Sequence, residues 1–431
     1  MALGPGPQRR GASLAGTLKT LAAIDVALFA AVFSTAIIRE PFSDMLAWLG
    51  AYLRFRQTGG LPGYLLAFHN EHRLLWIRLL TIVDAAAFRC SGGPFIVVAT
   101  VALVAATALV VREVARGAEP AVFWLFPMLF LTAANAIDCS IPINGVYPLT
   151  LMFVIWSCCL FDGEAEAGRG TVVRRSTAIG LAAAAGFANA VGLLAWPVLL
   201  WVAWRGRAGL RWLALVGIIG AAYCLAYLHG VSVIIGSPQG MHAAPWTLQF
   251  GCLLAYLGLP LSRLASFPLP GRLLGLAVLA LGIYAVIRVG LLNRDLTRLQ
   301  RIATALILFS LGSAAMAAVG RSQVADGIDV PVRYAVLVAP LHAGLLALAL
   351  PWAARHARAA RACAVGLACV LLALQVIGGV AAVRAVDRMA ATVARYYAGE
   401  RDPQMAMVVY PDLPEADRII ATLRREGLFA D

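Results

Sequence analysis

The polar residues that could do chemistry gather in two short stretches of an otherwise apolar chain. The first is Arg39-Glu40-Pro41-Phe42-Ser43-Asp44, followed by His69-Asn70-Glu71-His72-Arg73. It brings acids, imidazoles and guanidiniums together within one segment. A carboxylate beside an imidazole suits a general base, or a divalent cation such as Mg or Mn held by oxygen and nitrogen ligands. His69-x-Glu71-His72 alone is not a strong metal spacing. If Asn70–Arg78 is helical, His69, His72 and Arg73 share one side by i, i+3 and i, i+4 spacing. The plainer reading is a solvated segment at headgroup level whose charges pair with lipid and with each other.

The second stretch runs from Gly320-Arg321-Ser322-Gln323 through Asp326 and Asp329 to Arg333 and Tyr334. Guanidinium forks bind phosphate bidentately, so Arg321 and Arg333 suit a phosphate at a membrane surface. They equally suit interfacial anchors that snorkel. Several single residues are weaker candidates. Asp25 sits mid-way along an apolar run and is expected to face the bundle interior. Asp138 and Asn144 lie in a short loop and could line a sugar pocket, a plain turn being the simpler role. His229 and His242 flank a loop with Gln239 and Trp246. Asn189, before Gly192 and Trp196-Pro197, is expected to satisfy freed backbone groups at a helix break.

These residues must be positioned by membrane helices. Of 431 residues, 61% are hydrophobic and 13% charged, against about 45–50% and 25% in soluble domains. The mean hydropathy is +0.82. Runs such as Phe95–Val111, Ile302–Val319 and Ala335–Leu350 approach the roughly 20 residues that a helix needs to cross hydrocarbon. Backbone polar groups must be paired in lipid, and the runs do not alternate apolar with polar, so helices are expected over barrel strands. The expected fold class is an all-α polytopic membrane protein with about 10–12 transmembrane helices.

The net charge is +13. The arginines sit in short loops and form no continuous basic domain, so positive-inside topology explains them better than nucleic acid does. Lys19 is the one lysine. None of the eight cysteines makes a CxxC pair or a zinc spacing. Arg9, Arg10 and Lys19 before an apolar run resemble a signal peptide. Asp25 and the lack of a small-residue cleavage site favour an uncleaved first span instead.

The arginine loops also set a path. With the N-terminus (1–16) cytoplasmic, clusters at Arg112/Arg116, Arg169/Arg174/Arg175, Arg205/Arg207/Arg211, Arg294/Arg298/Arg301 and Arg355/Arg358/Arg361 all fall on one side. The path has spans near 17–38, 93–111, 120–137, 146–161, 211–229, 271–290, 301–319, 334–352 and 362–383. It requires 177–204 to be a hairpin broken around Phe187-Ala-Asn189, and 246–265 to be re-entrant. Residues 39–84 then form an outer loop with interfacial helices, Leu74–Phe88 lying on or dipping into the membrane. Residues 384–431 form a short outer tail. Its Glu415–Glu426 stretch is amphipathic, with Ile419, Ile420 and Leu423 on one side.

A first span followed by an outer loop carrying Glu40 and Asp44, then an interfacial stretch to Arg73 and the later basic loop, resembles the GT-C superfamily of multi-spanning glycosyltransferases. The similarity is architectural and covers roughly residues 17–383. It implies a GT-C-like bundle and a polyprenyl-phosphate-sugar donor. It also implies a glycan or lipid acceptor in the cell envelope, and a bacterial inner-membrane location with the active face periplasmic or extracellular. Asp44, or Glu40, would be the base. His69, Glu71, His72 and Arg73 would assist or hold substrate, while Arg321, Arg333 and Tyr334 would hold the donor phosphate. The acids are spaced Glu-x-x-x-Asp, whereas the superfamily often shows one-residue spacing, and there is no large C-terminal outer domain. A multi-spanning transporter or flippase is the main alternative; a membrane acyltransferase and a structural envelope partner are the others.

Overall fold

The computed structural model describes residues 7–70, 72–116, 122–163, 169–230, 245–259, 268–321 and 332–429. The chain is a multi-pass α-helical membrane protein. Among the described residues, eight helices are long and apolar enough to cross a bilayer, and a bent pair makes a ninth if it is one span. The expected 10–12 also counts the shorter apolar segments; of these, Ala190–Arg205 and Trp246–Leu257 are described and fall below the length of a span.

In chain order, α1 (Pro7–Thr35) is the first span. The loop after it builds α2 (Asp44–Thr58), α3 (Leu61–Leu66), the strands β1 (Phe68–His69) and β2 (His72–Arg73), and α4 (Leu75–Ala87). The span α5 (Gly93–Ala115) follows, its start tied back by the Gly92 amide, which donates to Asp84 Oδ2 at 3.0 Å. The next span is broken into α6 (Leu125–Phe130) and α7 (Ala133–Ser140), bent by 45°. Gln375 bridges the break: its amide nitrogen donates to Leu131 O, and its oxygen accepts from the Ala133 amide. Thr132 caps α7 by accepting from the Asn135 amide. A break in a span survives only when its freed backbone groups find such partners.

After α8 (Val146–Phe161), α9 (Arg169–Ala188) and α10 (Ala195–Arg205) form the expected hairpin. Asn189 opens the tight turn between them, its side chain accepting from the Val191 amide. Gly192 is required there, since a Cβ would lie 2.0 Å from Ala185 O. Arg175, near the start of α9, reaches Ala208 just beyond the end of α10, so the two arms return to one side. The remaining elements are α11 (Leu210–Leu228), α12 (Trp246–Leu257), α13 (Pro268–Ala285), α14 (Arg298–Arg321), α15 (Ala335–Arg355), α16 (Ala357–Tyr397) and α17 (Leu413–Arg425).

The re-entrant segment follows from parity. Close approaches of Gly258 to Gly271 and of Gly275 to Leu254 make α12 and α13 antiparallel. Thus α12, only 12 residues long, finishes on the side where α11 finished.

Most of the arginine loops meet at one end of the bundle. Arg298 forks onto Glu113 at 2.7 and 3.0 Å and donates to Cys159 O at 2.8 Å. Arg116 joins Glu113 at 2.9 Å, Arg301 pairs with Asp162 at 2.8 Å, and Arg207 with Asp295 at 2.8 Å. The Glu113 side chain is 2% exposed and that of Arg298 is 13% exposed. Removing one member of a buried pair strands the other, at a cost of about 3–5 kcal/mol. Glu113→Ala is therefore expected to lower the thermal midpoint of the purified protein markedly, whereas Arg112→Ala, at a half-exposed side chain, is expected to leave it nearly unchanged.

The tail departs from expectation. The boundary placed at 384 falls inside α16, which runs unbroken to Tyr397. Beyond it the chain turns back and α17 docks on the first loop. Ala416, Ile419, Ile420 and Leu423 pack with Leu46, Leu49, Leu53 and Tyr64 in a second hydrophobic core. The tail has too little apolar surface for a core of its own, and α2 supplies the other half.

Candidate functional site at the far end of the bundle

Opposite the arginine end lie the first polar stretch and, from the second, Arg333 and Tyr334. Asp44 is the first residue of α2, where the helix dipole favours an anion. His69 Nε2 lies 3.4 Å from Asp44 Oδ1, and no hydrogen bond satisfies that nitrogen. The Asp44 side chain is 50% exposed and that of His69 is 17% exposed, so the pair sits at the edge of solvent. Trp48, one turn along α2, presents its ring edge-on to His69 at 6.2 Å and stacks on Phe95.

His69 is delivered by a two-residue hairpin and not by the helix considered for Asn70–Arg78. Asn70 takes φ +51° at its tip, and Glu71 lies outside the described residues. The register pairs His69 with His72 and Phe68 with Arg73, which puts the histidines on one face and Arg73 on the other. Arg73 turns away and stacks over Phe68 at 3.9 Å. Its guanidinium donates to the carbonyls of Leu66, Tyr227 and His229. That geometry clamps the hairpin to the end of α11 and leaves Arg73 little to offer a substrate. His72 Nδ1 accepts from the Ala190 amide at 3.4 Å, tying the hairpin to the α9–α10 turn. Glu40 is exposed on the linker and lies within electrostatic reach of Tyr397.

Arg333, from the other stretch, lies within electrostatic reach of Asp44. Burial alone would lower its affinity for the proton. Tyr147, Tyr334 and the carboxylate of Asp44 outweigh that and hold the guanidinium charged, its pKa above the ordinary value. Tyr334 is buried, stacked on Tyr256 at 5.5 Å and edge-on to Tyr147 at 5.4 Å. It serves as a wall of the site. Of Arg321 only the backbone, at the end of α14, is described; Ser322, Gln323, Asp326, Asp329, Gln239 and His242 lie outside the described residues.

Two further residues belong here. Asp138, near the end of α7, is fully buried, lies within electrostatic reach of Arg333, and has neither carboxylate oxygen hydrogen-bonded. Tyr256 is also fully buried, with its hydroxyl unpaired. Buried polar atoms without partners are rare and cluster where function requires them. The sequence places Asp138 in a short loop; it lies instead inside α7, because that helix runs on to Ser140. Tyr256 carries no signal in the sequence. Among the described residues no three His, Cys, Asp or Glu side chains converge as a metal site would require. Asp44 and His69 supply two donors at most.

Arg333 also stands at the end of a groove of about 860 Å³ between α7, α13, α15 and α16. Its walls are apolar, with Ile137, Ile141, Val278, Leu345, Leu371 and Leu374 among them. Along α16 the lining runs from Leu367 to Met389. At about 1.5 Å per residue this covers roughly 33 Å of that helix, a length on the order of a bilayer's hydrocarbon thickness. Gly378, Ala381, Ala382 and Ala385 keep the α16 wall low.

No family model matches the chain, and neither does any curated protein or solved structure. Fold and site define a multi-pass membrane protein in which a carboxylate–imidazole pair lies within electrostatic reach of a half-buried arginine that lines a long apolar groove.

Proposed function

We propose that the protein is an integral-membrane glycosyltransferase. It moves a sugar from a polyprenyl-phosphate donor to a cell-envelope acceptor at the outer membrane–water interface. The observation that carries this reading is Arg333, which lines a long apolar groove and lies within electrostatic reach of Asp44. A phosphate on Arg333 places its lipid chain in the groove. A groove lined along about 33 Å of α16 suits one long isoprenoid chain better than a single-leaflet acyl chain of about 15 Å, half the hydrocarbon thickness. The likeness of the sequence to GT-C enzymes points the same way.

In the proposed reaction Asp44 takes the proton of an acceptor hydroxyl, with His69 orienting its carboxylate. The acceptor oxygen bonds to the sugar's anomeric carbon as the carbon–oxygen bond to phosphate breaks. The electron pair leaves with the lipid phosphate, whose charge Arg333 stabilises.

A diazirine-bearing polyprenyl phosphate tests the groove. Photolabel is expected on Leu367–Met389 of α16 and on α7, and Ala381→Trp, which fills the groove, is expected to cut labelling about tenfold, as expected when an occluded pocket loses well over 1 kcal/mol of binding. Equal labelling of both proteins would remove the groove from the account.

One observation favours the alternative of a transporter or flippase. Asp25 in α1 is fully buried, its carboxylate oxygens have no hydrogen-bond partner by geometry, and it lies close to Gln375 at the α6–α7 break. Ionisable residues at broken spans mark transport pathways. Asp25→Asn separates the readings. The enzyme reading expects sugar transfer at the wild-type rate, whereas abolished proton-coupled flux of a lipid-linked substrate would establish the transporter.

A further inference from the structure

The residue before Asp44 is conformationally unusual. Ser43 takes φ +50° and ψ −131°, a region that L side chains rarely occupy, and its side chain makes no capping hydrogen bond. Such backbone persists only where its surroundings over-determine it. Here the surroundings come from the far end of the chain. The Ser43 amide donates to Val409 O. Two residues earlier, Pro41 O accepts from the Tyr397 hydroxyl at 2.8 Å. Behind Asp44, the α2 face carrying Leu46, Leu49 and Leu53 is buried against Ile419, Ile420 and Leu423. The fit is close, because a Cβ on Gly50 would lie 2.9 Å from Ile419 Cδ1. Arg56 and Glu426 form an ion pair at the far end of the same contact. Both sides of the Ser43 linkage, and one face of the helix that follows, are thus fixed by residues 397–426.

We propose that this C-terminal segment is a positioning device for Asp44, with Tyr397 and the Val409 carbonyl as its working contacts. Asp44 itself contributes none of these contacts. The segment sets the pose of the α2 first turn and hence the approach of the Asp44 carboxylate to His69. It acts through α2 and touches neither the groove nor Arg333. The assignment rests on the proposed function only for the role given to Asp44.

The test uses the full chain in nanodiscs and two variants, Ser43→Gly and Tyr397→Phe. Glycine accepts φ +50° without strain, and phenylalanine removes only the hydroxyl donor. Three quantities are read: the rate of carbodiimide-driven amide coupling at Asp44, found by peptide mass spectrometry; the thermal midpoint; and the dissociation constant for undecaprenyl phosphate. Both variants are expected to raise the Asp44 coupling rate at least about threefold, as a locally loosened segment would. Ser43→Gly is expected to do so while keeping or raising the thermal midpoint, a combination that a purely structural role for the contact does not give. Binding of undecaprenyl phosphate is expected to stay within about twofold of wild type, well under 1 kcal/mol. Asp44 coupling at the wild-type rate in Ser43→Gly overturns the inference, even if Tyr397→Phe fails to fold. Failure of the wild-type protein to bind undecaprenyl phosphate overturns the proposed function instead, and the Asp44 rates still decide the positioning role.

Discussion

Asp44→Asn is expected to lower sugar transfer by about 10²–10⁴-fold, the usual contribution of a positioned general base. The substitution is nearly isosteric, and Asp44 is half-exposed with no part in either hydrophobic core. Membrane insertion and thermal midpoint should therefore stay close to wild type, since surface changes away from such features are worth within about 0.5 kcal/mol. The loss should fall on kcat, with KM for the lipid donor little changed, because Arg333 and the groove remain. Glu40→Gln is the natural comparison. Glu40 has the same chemistry four residues earlier, but it sits exposed on the tail side of the linker. Its amide variant should retain turnover within about threefold, because it removes no contact to the reacting atoms. Reversal of the two results would move the base from Asp44 to Glu40.

Arg333→Ala is expected to cost about 10²–10³-fold in kcat/KM, the scale seen when a preorganised group that meets developing charge is removed. Here binding and turnover should fall together, because the same guanidinium holds the donor phosphate before and during departure. Arg333→Lys should recover only part of the loss. A lysine supplies the point charge without the planar fork, and its shorter head would not lie over Tyr334 as Arg333 does at 5.8 Å. Titration with undecaprenyl phosphate and steady-state kinetics check both variants. A full recovery in the lysine variant would reduce Arg333 to a counter-charge for Asp44 and the buried Asp138.

Much of this architecture is legible in the sequence, for physical reasons that also mark the limits. Spans are legible because hydrocarbon demands long apolar runs, and Gly93–Ala115 or Arg298–Gly320 allow no other reading. Their pairing is legible because arginine loops avoid crossing, and Arg298 and Arg301 do meet Glu113 and Asp162 at one end. The α9–α10 hairpin and the re-entrant α12 follow from the same parity. The hairpin at Asn70 was less accessible. Its two-residue strands fall below any periodic signal, and Asn70 tolerates the positive φ that a helix would forbid. Tertiary pairing, not spacing, turned Arg73 onto the carbonyls of Tyr227 and His229. Asp138 was visible as a candidate pocket residue, but as part of a loop and not of α7. Its place beside Arg333 depends on α7 and the segment before α15 meeting, which no local pattern encodes. The docking of α17 is half legible: its apolar face is plain, and its partner α2 lies hundreds of residues away.

The account turns on a lipid-linked sugar leaving its phosphate at Arg333 as Asp44 takes a proton. The direct measurement is release of undecaprenyl phosphate from a panel of radiolabelled undecaprenyl-phosphate sugars by the purified protein in nanodiscs, with acceptor glycans supplied. The account expects release with at least one sugar, stoichiometric with label transferred to acceptor, and absent with Asp44→Asn and Arg333→Ala. Movement of intact lipid-linked sugar across the bilayer, with no release from any donor, would contradict it.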